Sequence, residues 1–177
     1  QKALAINIAT PSVWLEMARL KRRTGNMQVA ARMLAQARSN APAYLTELGH
    51  YFLEVNRLDS ALVCFEKAFK QDPESPLHQL NYVAVLLQTG RHQEAEPLLD
   101  SLEQMPEYRL LAQLNRSAMC LAKSEAEKAK MTLAKILEKQ PEQPAAWLNL
   151  GLAYEQTFDL DSACICWQKA YRLAAPK

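Results

Sequence analysis

The sequence has little of several features that would indicate an enzyme or a membrane protein. Only 4 of its 177 residues are glycine, and no apolar run approaches the ~18–20 residues that a membrane-spanning helix requires. The sequence contains no phosphate-binding loop, nucleophile elbow or zinc-protease motif. It therefore predicts a non-catalytic protein with no cofactor and no direct membrane insertion.

The four cysteines do not form a recognisable metal or disulfide framework. Cys64, Cys120, Cys164 and Cys166 lack the two separated CxxC pairs of a zinc ribbon, and all four lie in strongly helical segments. We interpret them as free cysteines of helix cores and predict no metal site. Without disulfides the compartment stays unassigned, with the cytoplasm favoured over the periplasm.

Charge is unevenly distributed, although the formal net charge is only +2. Residues 1–40 carry seven basic and one acidic side chain, whereas residues 41–177 carry fourteen basic and eighteen acidic ones. The basic end is predicted to attract anions or acidic partners. No alternation of aromatic and basic residues accompanies it, so nucleic acid is not a predicted partner.

Similar residues recur every 34 positions along the chain. The three series are Ala61, Ala95, Ala129 and Ala163; Phe65, Leu99, Leu133 and Trp167; and Asn81, Asn115 and Asn149. A 34-residue period is typical of stacked helix–turn–helix units, each of which cannot bury its apolar face alone.

The segment from Trp147 to Tyr154, followed by Ala163 and Trp167, resembles the tetratricopeptide repeat (TPR) motif. Leu48-Gly49 with its downstream residues resembles the same motif. The resemblance implies an all-α fold, an α-α superhelix (solenoid) of tandem helix–turn–helix repeats. In that family the first helix of each repeat lines a concave groove.

The resemblance covers essentially the whole chain and implies a single TPR domain. Residues 1–10 are expected to form the second helix of a truncated upstream repeat. Five full repeats follow at residues 11–41, 42–75, 76–109, 110–143 and 144–177. Because the first is shorter than the others, we expect a tighter joint between its second helix and the next hairpin.

Two places depart from the motif. Pro97 lies within a predicted second helix, where proline removes a hydrogen bond, so a kink or a late helix start is expected. The fourth repeat is degenerate, because Arg116 and Ser117 replace the usual Leu-Gly and Ser124 replaces the turn glycine. Arg116 either extends its charge outward to solvent or marks a flexible or contacting site.

The predicted peptide-binding groove combines a row of amides with apolar side chains. Asn81, Asn115 and Asn149 either hold the backbone of an extended peptide or bond a neighbouring helix. The apolar members are Leu80, Ala84, Leu87, Leu114, Ala118, Leu121, Leu148 and Leu152. Such a surface suits a partner helix, although the rest of the same protein or a second copy would also fill it.

Arg19, Arg22 and Arg23 form the predicted patch for an anion or an acidic partner. The simpler interpretation is a solvated basic face. The family's carboxylate clamp for chaperone tails requires lysine at the motif's fifth position, where this sequence has leucine or threonine, so that activity is not predicted.

These observations predict a protein–protein interaction scaffold that binds a peptide or helix of a partner in its concave groove. One alternative is a substrate-recruiting region of a larger enzyme or of secretion or assembly machinery. The other is a self-assembling domain, so a homo-oligomer stays open.

Overall fold

The computed structural model of the chain describes residues 10–175, and all regular structure in that range is α-helical. The helices are α1 (Pro11–Arg23), α2 (Met27–Ala37), α3 (Pro42–Glu54), α4 (Leu58–Gln71), α5 (Pro76–Gln88), α6 (His92–Gln104), α7 (Arg109–Ala122), α8 (Ala126–Lys139), α9 (Pro144–Gln156) and α10 (Leu160–Ala174). The half-repeat expected at residues 1–10 lies almost entirely outside the described residues.

The chain divides into two compact units, Gln1–Val85 and Leu86–Lys177, with the division inside α5. In the first unit α1 packs on α2, α3 packs on α4, and α3 also contacts α1 and α2. In the second unit each helix from α6 to α10 packs on the next, and α7 also contacts α9. In both units, therefore, the first helices of successive hairpins touch each other.

Each hairpin turn uses the same backbone geometry. One residue per turn has a positive φ, and these residues are Gly25, Asn56, Gly90, Ser124 and Phe158. The amide after each of them donates to the carbonyl five residues earlier, at 2.8–3.0 Å. This arrangement satisfies carbonyls that the helix end leaves without partners. Glycine, asparagine and serine tolerate such a φ better than phenylalanine does.

The first repeat is shorter than the others because its second helix is shorter, not because the connection to the next hairpin is. Four residues connect α2 to α3, and the later hairpins are also joined by four-residue connections. The missing length lies in α2 itself, which has 11 residues where α4 has 14. The prediction of a tighter joint was therefore wrong, because the shortening removes about one helical turn instead.

Pro97 lies inside α6, which nevertheless starts at His92. The predicted late start is therefore wrong. Pro97 is exposed, so water can reach the Gln93 carbonyl that proline leaves without a helical amide donor.

In two of the hairpins, a glycine on the first helix lies directly against an aromatic ring of the second helix. A Cβ on Gly49 would lie 2.7 Å from the Phe65 ring, and one on Gly151 would lie 2.2 Å from Trp167 Nε1. In the fourth repeat the same two positions hold Ser117 and Leu133, both fully buried. A larger residue on the first helix thus accompanies a smaller one on the second.

The apolar cores contain residues from neighbouring hairpins. In the first unit Leu15, Ala18 and Leu34 form a buried cluster against which Tyr44 and Leu48 pack. The second unit's cluster consists of Cys120, Leu121, Ala129, Leu133, Ile136, Leu137, Ala146, Leu150, Ala153 and Cys166. Stacking one hairpin on the next therefore buries apolar surface that one hairpin alone would expose.

We predict that Gly151→Ala lowers the unfolding free energy, because the added methyl overlaps the Trp167 indole. Overpacking of this kind costs about 1–3 kcal/mol, which exceeds the roughly 1 kcal/mol that alanine gains over glycine in a helix. Urea unfolding followed by circular dichroism measures the difference.

The control places Gly151→Ala in a Trp167→Leu background, which imitates the small–leucine pairing of the fourth repeat. There the alanine should be neutral or stabilising. The same destabilisation in both backgrounds would show that the indole is not the cause.

Candidate functional site

Ion pairs occupy the contact between α1 and α3. Glu47 is only 5% exposed; its carboxylate accepts from Arg19 Nε at 2.8 Å and from Arg22 Nη2 at 3.4 Å. Arg19 also pairs with Glu16 at 2.9 Å, and Arg22 pairs with Glu54. A buried carboxylate is stable when it is paired and hydrogen-bonded in this way.

These pairs change the predicted anion patch. Arg19 and Arg22 already bond carboxylates of this chain, so an outside anion would have to displace them. Arg23 is exposed and forms no ion pair with any residue in the range 10–175. Of the three predicted residues, it alone presents an uncompensated charge within the described chain.

His50 lies beside the same ion-pair cluster. Its ring meets the Phe65 ring edge-on, with centroids 5.2 Å apart. Burial lowers the pKa of His50 below its ordinary value, and the positive charge of Arg22 lowers it further, against opposing effects of Glu47 and Glu54. The folded protein therefore favours the neutral imidazole.

Amides, not charges, occupy the contact between α7 and α9. Asn149 Nδ2 donates to Ser117 Oγ at 3.1 Å and lies 3.5 Å from the Leu114 carbonyl. Gln156 Nε2 donates to the Leu121 carbonyl at 2.9 Å. Asn149 thus bonds a neighbouring helix, which is the second of the two roles considered for the asparagine row.

The other two asparagines are differently placed. Asn115 is half-buried, and its amide has no hydrogen bond to a described side chain or turn. Asn81 lies in the first unit, where its Nδ2 is buried without an acceptor among the described residues. The Thr46 hydroxyl of the same unit is also buried without a described hydrogen-bond partner. Asn115 and Asn149 belong to the second unit and Asn81 to the first, so the row across all three stays a prediction.

The predicted apolar surface is partly accessible and partly core. Leu148 is 50% exposed, and Leu152 is also exposed. Leu111, on α7 but outside the predicted set, is exposed as well. Leu121 is 8% exposed and belongs to the core of the second unit, so its predicted place on an accessible surface is wrong. Half-buried members are Leu80, Ala84, Leu87, Leu114 and Ala118.

Leu121 is buried for a geometric reason. It stands at the motif's twelfth position, on the side of α7 that meets the following hairpin. The ninth position of the same helix, Ala118, is only half-buried. A helical surface changes from accessible to buried within one turn. The motif positions predicted to face the groove therefore included Leu121, which faces the next repeat.

Arg116 directs its charge toward carboxylates of α6. It pairs with Asp100 at 2.6 Å and with Glu103, both on α6. Ser117, beside it, is fully buried and donates to the Leu114 carbonyl at 2.7 Å. The degenerate fourth repeat therefore replaces the motif residues with polar groups that find partners inside the second unit.

One exposed residue was missed by the sequence analysis. Phe158 lies at the α9–α10 turn and is 90% exposed, with a φ of 60°. The sequence held a signal, because Phe158 follows Gly90 by two periods of 34 residues and so occupies a turn position.

The described residues provide no constellation for metal chemistry. Within residues 10–175, no group of three or more His, Cys, Asp or Glu side chains could hold a metal ion. Cys64, Cys120 and Cys166 are buried free thiols, and Cys164 is exposed. None of the helices in this range has both the length and the apolar character of a membrane span.

The lowered pKa of His50 predicts that stability depends on pH. The unfolded chain binds a proton near the ordinary histidine pKa of about 6.5, whereas the folded chain binds it only at lower pH. As the pH falls from about 6.5 toward the lowered pKa, the unfolded state holds more protons and the unfolding free energy decreases. Urea titrations across this range should show a smaller decrease for His50→Gln. Equal slopes would contradict the role of His50.

Comparisons with known proteins agree with this architecture. Two sequence models of the tetratricopeptide repeat match residues 46–108 and residues 144–176. Among curated proteins, none matches the sequence.

Solved structures share the fold at low sequence identity. A tetratricopeptide repeat protein from Parabacteroides merdae is 14% identical, with a TM-score of 0.84 over 100% of this chain and 69% of that one. MamA from Desulfovibrio magneticus is 20% identical, with a TM-score of 0.69 over 92% and 94%. YrrB, described as a TPR protein with an unusual peptide-binding site, is 19% identical, with a TM-score of 0.66 over 98% and 91%.

The predicted family and fold class are thereby confirmed. The structure is an all-α helical-repeat solenoid. The two matched ranges together span more than half of the 177 residues, so the chain belongs to the tetratricopeptide repeat family.

Proposed function

We propose that the chain is a non-catalytic scaffold that binds an apolar or amphipathic segment of a partner protein along helices α7 and α9. The main support is that Leu111, Leu148 and Leu152 are exposed on two first helices, α7 and α9, that contact each other. Covering apolar surface releases roughly 25 cal/mol per Å², so a partner that covers these side chains gains affinity.

Asn115 adds a polar element to this surface. Its half-buried amide makes no side-chain hydrogen bond within residues 10–175, and it carries both a donor and an acceptor. It could therefore pair with the backbone of a bound segment, whereas Asn149 is engaged by Ser117. The proposed site thus uses one asparagine of the predicted row.

The proposed site also carries a negative charge. Glu155, one turn beyond Leu152 on α9, is exposed and forms no ion pair with a described residue. A partner segment with a basic residue next to its apolar ones would match this surface. The positive charge of Arg23 lies in the first unit. There we propose that it attracts an acidic segment of a partner.

YrrB supports this proposal only as an analogy. That protein has the same fold and a peptide-binding site, and its low identity to this chain transfers no residue role. Support for binding at α7 and α9 therefore comes from the exposed leucines and Asn115 themselves.

The test uses peptides selected from a random-sequence display library on the immobilised chain and then measured by fluorescence anisotropy. Leu148→Glu should weaken their binding about tenfold or more, as truncation of a central contact does. Because Leu148 is half exposed, the charge should leave the fold intact.

The matched control is Ile165→Glu, which makes the same change at a 55% exposed residue on α10. It should leave peptide affinity unchanged. Retained affinity in Leu148→Glu, or equal losses in both variants, would contradict a site on the first helices.

A further inference from the structure

The α9–α10 turn presents an apolar side chain under two unfavourable conditions. Phe158 has a left-handed φ, which costs a bulky residue more than it costs the glycine, asparagine or serine of the other turns. Its side chain is also 90% exposed to water. Strained residues that persist tend to mark functional sites.

The exposure of Phe158 belongs to its position in the repeat. The residues at the same position, Gly25, Asn56, Gly90 and Ser124, are all exposed. Stacking hairpins therefore leaves this position uncovered, whether or not another hairpin lies beside α10. An exposed aromatic at such a place is available for a contact outside its own unit.

Acidic residues flank this aromatic in the sequence. Leu160, also exposed, lies between Asp159 and Asp161, and Glu155 precedes the turn. Asp159 caps α10 by accepting from the Ser162 amide at 3.1 Å, which leaves Asp161 and Glu155 without a bonded partner in the described chain. We call Phe158 and Leu160, with these carboxylates, the turn knob.

The neighbouring cations are already engaged. Lys130 pairs with Glu127 at 3.0 Å and donates to Thr157 Oγ1 at 2.8 Å. Lys128 pairs with Glu125 at 3.0 Å. The turn knob therefore keeps a negative edge, and its complement is an apolar cavity with a basic rim.

The second unit contains such a cavity, with a volume of about 290 Å³. Its apolar walls are Pro106, Leu110 and Ile136, and its basic rim is Arg109, Lys135 and Lys139. The volume is slightly below the ~300–1,000 Å³ of small-molecule pockets, so it suits one or two side chains.

The rim charges are available. Neither Lys135 nor Lys139 forms an ion pair with another residue of the described range, and both are exposed. Arg109 donates its Nε to the Glu103 carbonyl at 2.9 Å, a neutral acceptor that leaves the positive charge uncompensated. Glu107 and Glu138 are adjacent in sequence but do not line the cavity.

The turn knob cannot enter the cavity of its own chain. Thr157 of the turn bonds Lys130 near the start of α8, whereas the cavity is lined by the last turn of α8. Lys135 and Lys139 lie five and nine residues beyond Lys130, a rise of roughly 8 and 14 Å along α8. The two features therefore lie toward opposite edges of the same unit, and only another molecule can join them.

We infer that the turn knob of one copy of this chain docks into the basic-rimmed cavity of a second copy. Phe158 would enter between Leu110 and Ile136, while Asp161 and Glu155 would face Lys135 and Lys139. Two copies can make the contact twice around a two-fold axis, or once with further copies adding at the free ends. The contact shares Glu155 with the peptide surface proposed for α7 and α9, but it uses none of that surface's leucines and not Asn115.

The association should be weak. A single side chain in a cavity covers much less area than the ~1,200–2,000 Å² of stable interfaces. It should also weaken with added salt, because exposed charge pairs are screened. A concentration-dependent equilibrium is therefore expected, not a fixed oligomer.

Sedimentation of the 177-residue chain over a wide concentration range tests the contact. The wild-type chain should associate, and Phe158→Gly should weaken association about tenfold or more, as loss of an aromatic anchor does. Glycine suits the left-handed φ, so the urea midpoint of this variant should be unchanged or higher. A wild-type chain that stays monomeric throughout would overturn the inference.

Tyr171→Ala is the matched control, because it removes another exposed aromatic, 78% accessible, from α10. Association should be unaffected by this change and by Leu148→Glu. If Tyr171→Ala weakens association as much as Phe158→Gly does, general hydrophobicity is responsible and the knob is not.

Charge reversal identifies the cavity. Glu155→Lys with Asp161→Lys should weaken association, and so should Lys135→Glu with Lys139→Glu. An equimolar mixture of the two variants should recover it, because each provides the charge that the other lacks. If Lys135→Glu with Lys139→Glu leaves association unchanged, the turn knob does not bind this cavity. The same conclusion follows if the mixture associates as weakly as each variant alone.

Discussion

Close contact between the two helices of a hairpin is the constraint on which the rest of this structure depends. In two hairpins, Gly49 meets Phe65 and Gly151 meets Trp167 so tightly that no Cβ fits without movement. Elsewhere Ser117 accompanies the smaller Leu133. The spacing between helices therefore specifies the summed volume of a pair, and this explains why a repeat can lose the motif's glycine and keep its hairpin.

The contacts between hairpins obey a looser constraint. First helices meet in both units, yet α1 and α3 are joined by arginine–carboxylate pairs around Glu47, whereas α7 and α9 are joined by the amides of Asn149 and Gln156. Both arrangements satisfy polar groups at a partly buried boundary. The side chains left available for other contacts therefore differ between the two units. In the second unit they are the exposed leucines and Asn115.

The sequence was sufficient to predict what depends on period and backbone chemistry. Alanine and asparagine series at 34 residues predicted helical hairpins. Prolines such as Pro42 and Pro144 stand at helix starts, where the missing N–H costs little. Partners were not predictable in this way. The burial of Leu121 and the bonding of Arg19, Arg22 and Arg116 depend on side chains of an adjacent helix, which a period does not specify. The shortening of α2 was misplaced because length alone does not say which element lost residues.

The shared geometry of the five turns separates shape from recognition. In each turn the amide after the left-handed residue donates to a backbone carbonyl, so the conformation requires little from the side chain at the left-handed position beyond tolerance of that φ. Glycine, asparagine, serine and phenylalanine all occur there. In evolutionary terms these exposed positions can acquire or lose contacts without repacking the core, and in protein engineering they are natural sites for grafting new recognition residues.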